Sequence, residues 1–100
     1  MEVMNMLESR ADVSTSHASR YLQQLCKHWA HKFPVEFSPD HGEITLPSGV
    51  TVMDAGAESL TVTVRAEEAD ALAQLEQVVA DHIVRFAFRE DLTFDWKRSV

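Results

Sequence analysis

Three histidines lie in one short segment of this chain, and imidazole is the side chain most often used for metal binding and proton transfer near neutral pH. Residues 15–34 contain these histidines and three cationic side chains, but no aspartate or glutamate. The chain as a whole has a net charge of −7. This segment is therefore a candidate surface for an anionic ligand, a metal ion or a partner protein.

The polar residues of this segment recur at steps of four, three, four and three, which places them on one stripe of a helix. A second predicted helix contributes one more histidine, on or beside its apolar stripe. The candidate ligand-binding residues are His17, Tyr21, Gln24, His28, His31 and His82.

Three of these histidines are candidate metal ligands. His28 and His31 share a face at i,i+3, and His82 would approach them if the two helices pack side by side. Together with an acid such as Glu36 or Asp81 they would suit zinc or ferrous iron. The structural alternative is favoured, because no recognised metal-binding spacing is present and because cationic side chains near a helix C-terminus interact favourably with its dipole. In that alternative His82 is a core histidine that donates to a backbone carbonyl, and no cofactor is expected.

Cys26 is the single cysteine and raises a second chemical possibility, a thiol nucleophile with His28 or His82 as its base. Its place on the apolar stripe of the first helix predicts instead a small, buried and inert side chain. The three glycines form no phosphate-binding loop, and there is no nucleophile elbow. The sequence thus favours a non-enzymatic binding module, and a metal- or thiol-dependent enzyme is the alternative.

Hydrophobic periodicity predicts the elements that must position these residues. Alternation predicts four strands between the helices, and in the third of them Val50 and Val52 are expected to form the apolar face. Glycines 42, 49 and 56 are each assigned to a turn. The predicted elements are a strand over 7–13, a helix from the cap residue Thr15 to Pro34, strands around 35–38, 43–46, 50–53 and 60–65, a helix from Glu67 to about Arg89, and a last strand or extended tail over 92–97.

This order, β-α-β-β-β-β-α with a C-terminal strand or tail, predicts an α+β two-layer sandwich. Each strand shows one apolar face and each helix one apolar stripe, so both helices are expected on one face of an antiparallel sheet. The order matches a TATA-binding-protein-like topology. We expect one domain over residues 1–100, with residues 1–6 flexible.

Composition excludes several function classes. A pI near 5 argues against nucleic-acid binding, which needs clustered lysine and arginine. No apolar run approaches the roughly 18 residues of a membrane-spanning helix. The single cysteine excludes an internal disulfide, and the N-terminus lacks the pattern of a signal peptide, so a cytoplasmic location is expected.

Three stretches of the sequence resemble the bacterial Domain of Unknown Function 2218 family. They are SRADVSTSHASRYLQQLCKHWAHKFPVEF, HGEITLPSG and VVADHIVRFAFREDLTFDW, and the resemblance covers roughly residues 7–97. It implies a small α+β bacterial protein whose relatives are joined to, or encoded near, siderophore-interacting flavin reductases. It therefore implies an accessory role in iron handling, with a ferric chelate or such a reductase as the partner. The family defines no catalytic residues that would carry over to this chain.

Overall fold

The structure is a computed structural model that describes residues 6–87 and 89–99. The segment expected to be flexible, 1–6, lies outside the described residues except for Met6. The elements are β1 (Leu7–Ser14), α1 (Ala18–Trp29), β2 (Val35–Phe37), β3 (His41–Leu46), β4 (Gly49–Ala55), β5 (Ser59–Ala66), α2 (Ala69–Phe86) and β6 (Lys97–Ser99).

The strands form one antiparallel sheet in the order β2-β3-β4-β5-β1-β6. Both helices pack on the same face of this sheet, α1 against β2 to β5 and α2 against β1, β4 and β5, and they contact each other. The opposite face is polar and carries ion pairs such as Glu8–Arg65. The predicted α+β class, antiparallel sheet and element order are confirmed. No helix among the described residues is long and apolar enough to cross a membrane.

Strand β4 faces the opposite way from the sequence prediction. Thr51 and Met53 are fully buried, whereas Val50 and Val52 lie half-exposed on the polar face. The register explains the difference, because Thr51 pairs with buried Ile44 of β3 and directly opposite residues share a face of the sheet. Two of the four residues over 50–53 are valines and the other two also fit a strand, so alternation alone does not fix the face.

Helix α1 is shorter than predicted at both ends. Thr15 is not its N-cap residue; that position is His17, whose backbone N–H donates to the Thr15 hydroxyl at 3.0 Å. The helix ends at Trp29, and the backbone amides of Lys32 and Phe33 both donate to the Trp29 carbonyl at 3.0 Å. This turn directs the chain into β2. It also leaves residue 31 beyond the helix.

The second helix also ends early, at Phe86 instead of about Arg89. Ala87 leaves the helical conformation (φ −97°, ψ 45°), and its N–H donates to two carbonyls of the last turn. Residue 88, which the predicted helix includes, lies outside the described residues. Further on, alternate residues from Leu92 to Trp96 are half-buried as the pattern predicted, but the last strand begins only at Lys97.

The outermost strand, β2, buries less than its alternation predicted. Val35 is half-buried, but the Phe37 side chain remains 39% exposed. β2 is a strand of three residues at one edge of the sheet, and one of its two apolar side chains faces solvent.

Gly42 lies inside β3, not in a turn, and permits a close approach between the sheet and α1. A Cβ atom added there would lie 2.7 Å from Cys26 Sγ and 3.2 Å from Leu22 Cδ2. Such distances are too short for ordinary packing, so any side chain would push α1 away from the sheet. The glycine thus sets the height of α1 above β3.

We expect Gly42→Ala to lower the free energy of unfolding by about 1–3 kcal/mol through overpacking. The cost should fall by at least about half in a Cys26→Ala background, because the nearest clashing atom is then absent. Urea denaturation of the four proteins in this cycle measures both effects. Gly56→Ala is the matched control: a Cβ there meets no heavy atom closer than 3.5 Å, so its effect should stay within about 0.5 kcal/mol. Equal costs for Gly42→Ala in the two backgrounds would contradict this account.

Candidate functional site

The polar stripe of α1 runs along its contact with α2, and the two helices are antiparallel there. Near the start of α1, Tyr21 donates a hydrogen bond to Glu90, just after the end of α2. Near the end of α1, the rings of Trp29 and His82 lie 4.9 Å apart between centroids. We call this contact, from Tyr21–Glu90 to Trp29–His82, the helix seam.

The seam collects some of the predicted site residues and leaves others out. His28 and His82 meet, with ring centroids 5.3 Å apart, and His17 packs edge-to-face on Tyr21 at 6.1 Å. Gln24 is exposed on α1. His31 lies in the turn after α1 and is exposed, so the expected i,i+3 pairing with His28 on one helical face does not form.

At one end of the seam the polar groups satisfy one another. The Glu90 carboxylate accepts hydrogen bonds from the Tyr21 hydroxyl and, at 3.1 Å to each oxygen, from the Thr15 hydroxyl. Burial and the hydrogen bond to Glu90 raise the pKa of Tyr21, and the same hydrogen bond lowers the pKa of Glu90. The Tyr21 side chain, predicted as a ligand contact, is 4% exposed. Its hydrogen bond to Glu90 ties the segment after α2 to α1.

Glu90 is not among the residues that the sequence indicates as functional. The two partners of Glu90 are 75 and 69 residues away along the chain, so no local pattern indicates them. A surface hollow of about 400 Å³ adjoins the tie, and His17, Arg20, Phe86 and Arg89 line it together with Glu90.

Towards the other end of the seam, the two histidines lie among aromatic rings. His28 is 6.0 Å from Phe86 and 6.4 Å from Trp29 between centroids. His82 Nδ1 lies 2.7 Å from the Val78 carbonyl oxygen. Because a carbonyl only accepts, Nδ1 carries the proton and donates it. This hydrogen bond is the one expected of a core histidine, although the His82 side chain is only half-buried.

The other end of the seam opens into an apolar groove of about 220 Å³, which we call the Trp29 groove. It lies between the end of α1, the β3–β4 turn and α2. Its walls are mainly apolar, and Lys32 and His82 are two of its polar groups. Val78, one of the wall residues, is 36% exposed. The apolar and aromatic wall residues are Trp29, Phe33, Leu46, Pro47, Leu75 and Val78.

The sequence analysis identified one residue of this groove, His82, and missed the rest. The available signal was weak: Val78 is an apolar residue outside the buried face of α2, and Phe33 lies within the segment predicted as the first helix. Only the early end of α1 at Trp29 places Phe33 beside α2 and the β3–β4 turn.

The cationic side chains fall into two groups, those with a carboxylate partner and those without one. Four cations, on the sheet strands and in β6, have carboxylate partners: Arg10, Arg65, Lys97 and Arg98. Over residues 6–87 and 89–99, no ion pair involves Arg20 or Lys27 of α1 or Lys32 of the turn after it. The surface of α1 and of the turn after it therefore carries cations without a carboxylate partner, and it suits an anionic ligand better than a cationic one.

Two of the predicted chemistries find little support in the geometry. Within the described parts of the chain, no group of three or more histidine, cysteine, aspartate or glutamate side chains is arranged to hold a metal ion, so the three candidate histidines do not form such a site. Cys26 is fully buried, and burial raises the pKa of its thiol to about 11. A thiol in that environment is mostly protonated near neutral pH and is a poor nucleophile.

Comparison with known proteins places these features in a family. The model of a family described as an uncharacterised protein conserved in bacteria (DUF2218) matches residues 10–97. The chain belongs to this family. Among solved structures, the DUF2218 chain is similar to the NMR structure of PA4090 from Pseudomonas aeruginosa, with 36% sequence identity, 91% of this chain and 95% of that chain covered, and a TM-score of 0.79. A search of curated proteins found no significant match. These similarities establish the family and the fold of the chain.

The Tyr21–Glu90 tie predicts a specific pH dependence of stability. Because the pKa of Glu90 is lowered on folding, its contribution is present above the ordinary value of 4.5 and is lost as the pH falls through the folded value. Because the pKa of Tyr21 is raised, its contribution is present below 10.0 and is lost as the pH rises through the folded value. Tyr21→Phe should therefore lower the Tm by a constant amount between 4.5 and 10.0, and by progressively less as the pH falls below 4.5.

Thermal denaturation followed by circular dichroism at pH 3, 5, 7 and 9 measures this difference. Glu90→Gln should show a similar loss at pH 7, and the double variant should lose less than the sum of the single variants. A loss of the same size at pH 3 and pH 7 for Tyr21→Phe would mean that the ionised carboxylate does not carry the interaction.

Proposed function

We propose that this DUF2218 protein is a non-enzymatic binding module that takes the aromatic part of an anionic small ligand into the Trp29 groove. The observation that carries the proposal is the combination found there: aromatic and aliphatic walls, an imidazole and a lysine beside them. Mostly apolar lining with a few polar groups is the usual composition of a small-molecule site.

The groove size restricts the ligand. A volume of about 220 Å³ is below the roughly 300–1,000 Å³ of sites that enclose a drug-sized ligand. It accommodates one ring or a short chain of a larger molecule, whose remainder would lie on the surface. The walls of Trp29 and Phe33 favour a flat aromatic ring, because aromatic pairs gain from offset-stacked or edge-to-face contact.

The charge distribution favours a ligand that is negative as well as aromatic. Lys32 lines the groove and has no carboxylate partner among the described residues. A ferric catecholate chelate combines aromatic rings with net negative charge, and it is the ligand class that matches the iron-handling role implied by the family resemblance. We include this role, and a cytoplasmic location, in the proposal. Docking to a siderophore-interacting reductase stays a prediction of the resemblance.

Binding can be tested with tag-free protein in EDTA-containing buffer, titrated with 2,3-dihydroxybenzoate as the ring alone and followed by amide NMR shifts. The preformed ferric catecholate is titrated separately without EDTA. We expect saturable shifts at residues of the groove. Phe33→Ala should weaken binding by about tenfold, corresponding to about 1.4 kcal/mol, and Lys32→Gln should weaken it several-fold.

The chain offers matched controls for both substitutions. Phe37→Ala removes an exposed phenylalanine outside the groove, and Lys27→Gln removes a cation of α1 that does not line it. Both controls should bind as the wild type does. Shifts that do not saturate at millimolar ligand, or equal losses in the control and groove variants, would contradict the proposal.

The thiol-enzyme alternative has its own test. Because Cys26 is buried and its pKa is raised, we expect an aromatic disulfide reagent to label the folded protein far more slowly than the protein in 6 M guanidinium chloride. The measurement is the absorbance of the released thiolate at pH 7. Equal labelling rates in the two conditions would show an accessible, reactive thiol and would favour the enzyme.

A further inference from the structure

We propose that His28 and His82 together form an open binding site for a divalent transition-metal ion, with two imidazole ligands and water in the other positions. The two rings come from different helices, and their centroids lie 5.3 Å apart. This site is separate from the proposed aromatic-ligand site in its chemistry, although His82 belongs to both.

The hydrogen bond of His82 leaves the required ring nitrogen available. Nδ1 donates its proton to the Val78 carbonyl at 2.7 Å, so in the neutral ring the lone pair is on Nε2. Metal-binding histidines very often donate their other ring N–H to a backbone carbonyl or a carboxylate, which fixes the tautomer and orients the ring. His82 already has this supporting contact without a metal.

The separation of the rings fits shared coordination. A zinc–nitrogen bond of about 2.0–2.1 Å puts the metal about 3.2 Å from the centroid of an imidazole ring. Two rings bound at a tetrahedral angle would then have centroids about 5.2 Å apart, and the observed separation is 5.3 Å. The centroid separation is therefore compatible with both rings binding one ion.

The ligand set also defines what kind of site this is. Within the described residues no third histidine, cysteine or carboxylate joins the pair, and His31 lies exposed beyond α1. Structural zinc sites have four protein ligands, so a two-ligand site binds more weakly and keeps exchangeable positions. The stability order of first-row metals then predicts tighter binding of Cu²⁺ than of Zn²⁺ or Ni²⁺.

The test uses tag-free full-length protein that is first treated with EDTA and then exchanged into chelator-free buffer. Calorimetric titrations with ZnCl₂ and CuSO₄ should each show one equivalent bound, with Cu²⁺ the tighter. His28→Gln and His82→Gln should each weaken binding by at least about tenfold, since even second-shell changes cost that much. His17→Gln and His31→Gln, the matched controls, should leave it unchanged.

A second measurement does not depend on the variants folding. Ring ¹⁵N NMR of the wild-type protein with Zn²⁺ should shift the Nε2 signal of His82 and one nitrogen signal of His28, with the Nδ1–H of His82 retained. Ring signals of these two residues that stay unshifted at saturating Zn²⁺ would overturn the proposal, and so would equal losses in all four variants. The titration contains no organic ligand, so this site and the proposed aromatic-ligand site can fail independently.

Discussion

Both helices of this protein have to share one face of a single sheet, and the other features of the structure depend on that constraint. The strands are apolar on one side only, so a helix on the other side would cover charged residues such as Glu8 and Arg65. Placed together, α1 and α2 bring their polar edges into contact along the seam. The close approach of α1 to the sheet at Gly42 sets how deeply that seam lies.

The two ends of the seam have different chemical properties because their polar groups are paired to different extents. At one end, Glu90 accepts hydrogen bonds from Tyr21 and Thr15, so these groups already stabilise one another. At the other end, apolar walls surround a groove whose lysine has no carboxylate partner in the described part of the chain. Ligand binding is better supported there, since a ligand would not have to displace existing hydrogen bonds.

The sequence analysis was most successful where a pattern has a single physical reading. Continuous alternation in β5 and a long apolar stripe in α2 each correspond to one element and one buried face. It was wrong where two readings fit equally well: Thr51 and Met53 are buried in β4, and the adjacent valines are not. The face of β4 follows from its register with β3, and register is a property of the pair of strands.

By itself, the sequence determined the element order, the two-layer α+β class and the concentration of histidine and cationic residues in one acid-free segment. Those features follow from periodicity and composition, which are local. The tertiary structure decided where the helices end, that Tyr21 is bound to Glu90, and that His28 meets His82 while His31 does not. The physical reason is that the Tyr21–Glu90 and His28–His82 contacts join side chains far apart in the chain, and such contacts exist only after the helices pack on the sheet. The helix ends are set by backbone hydrogen bonds in the turns, which hydrophobic periodicity does not indicate.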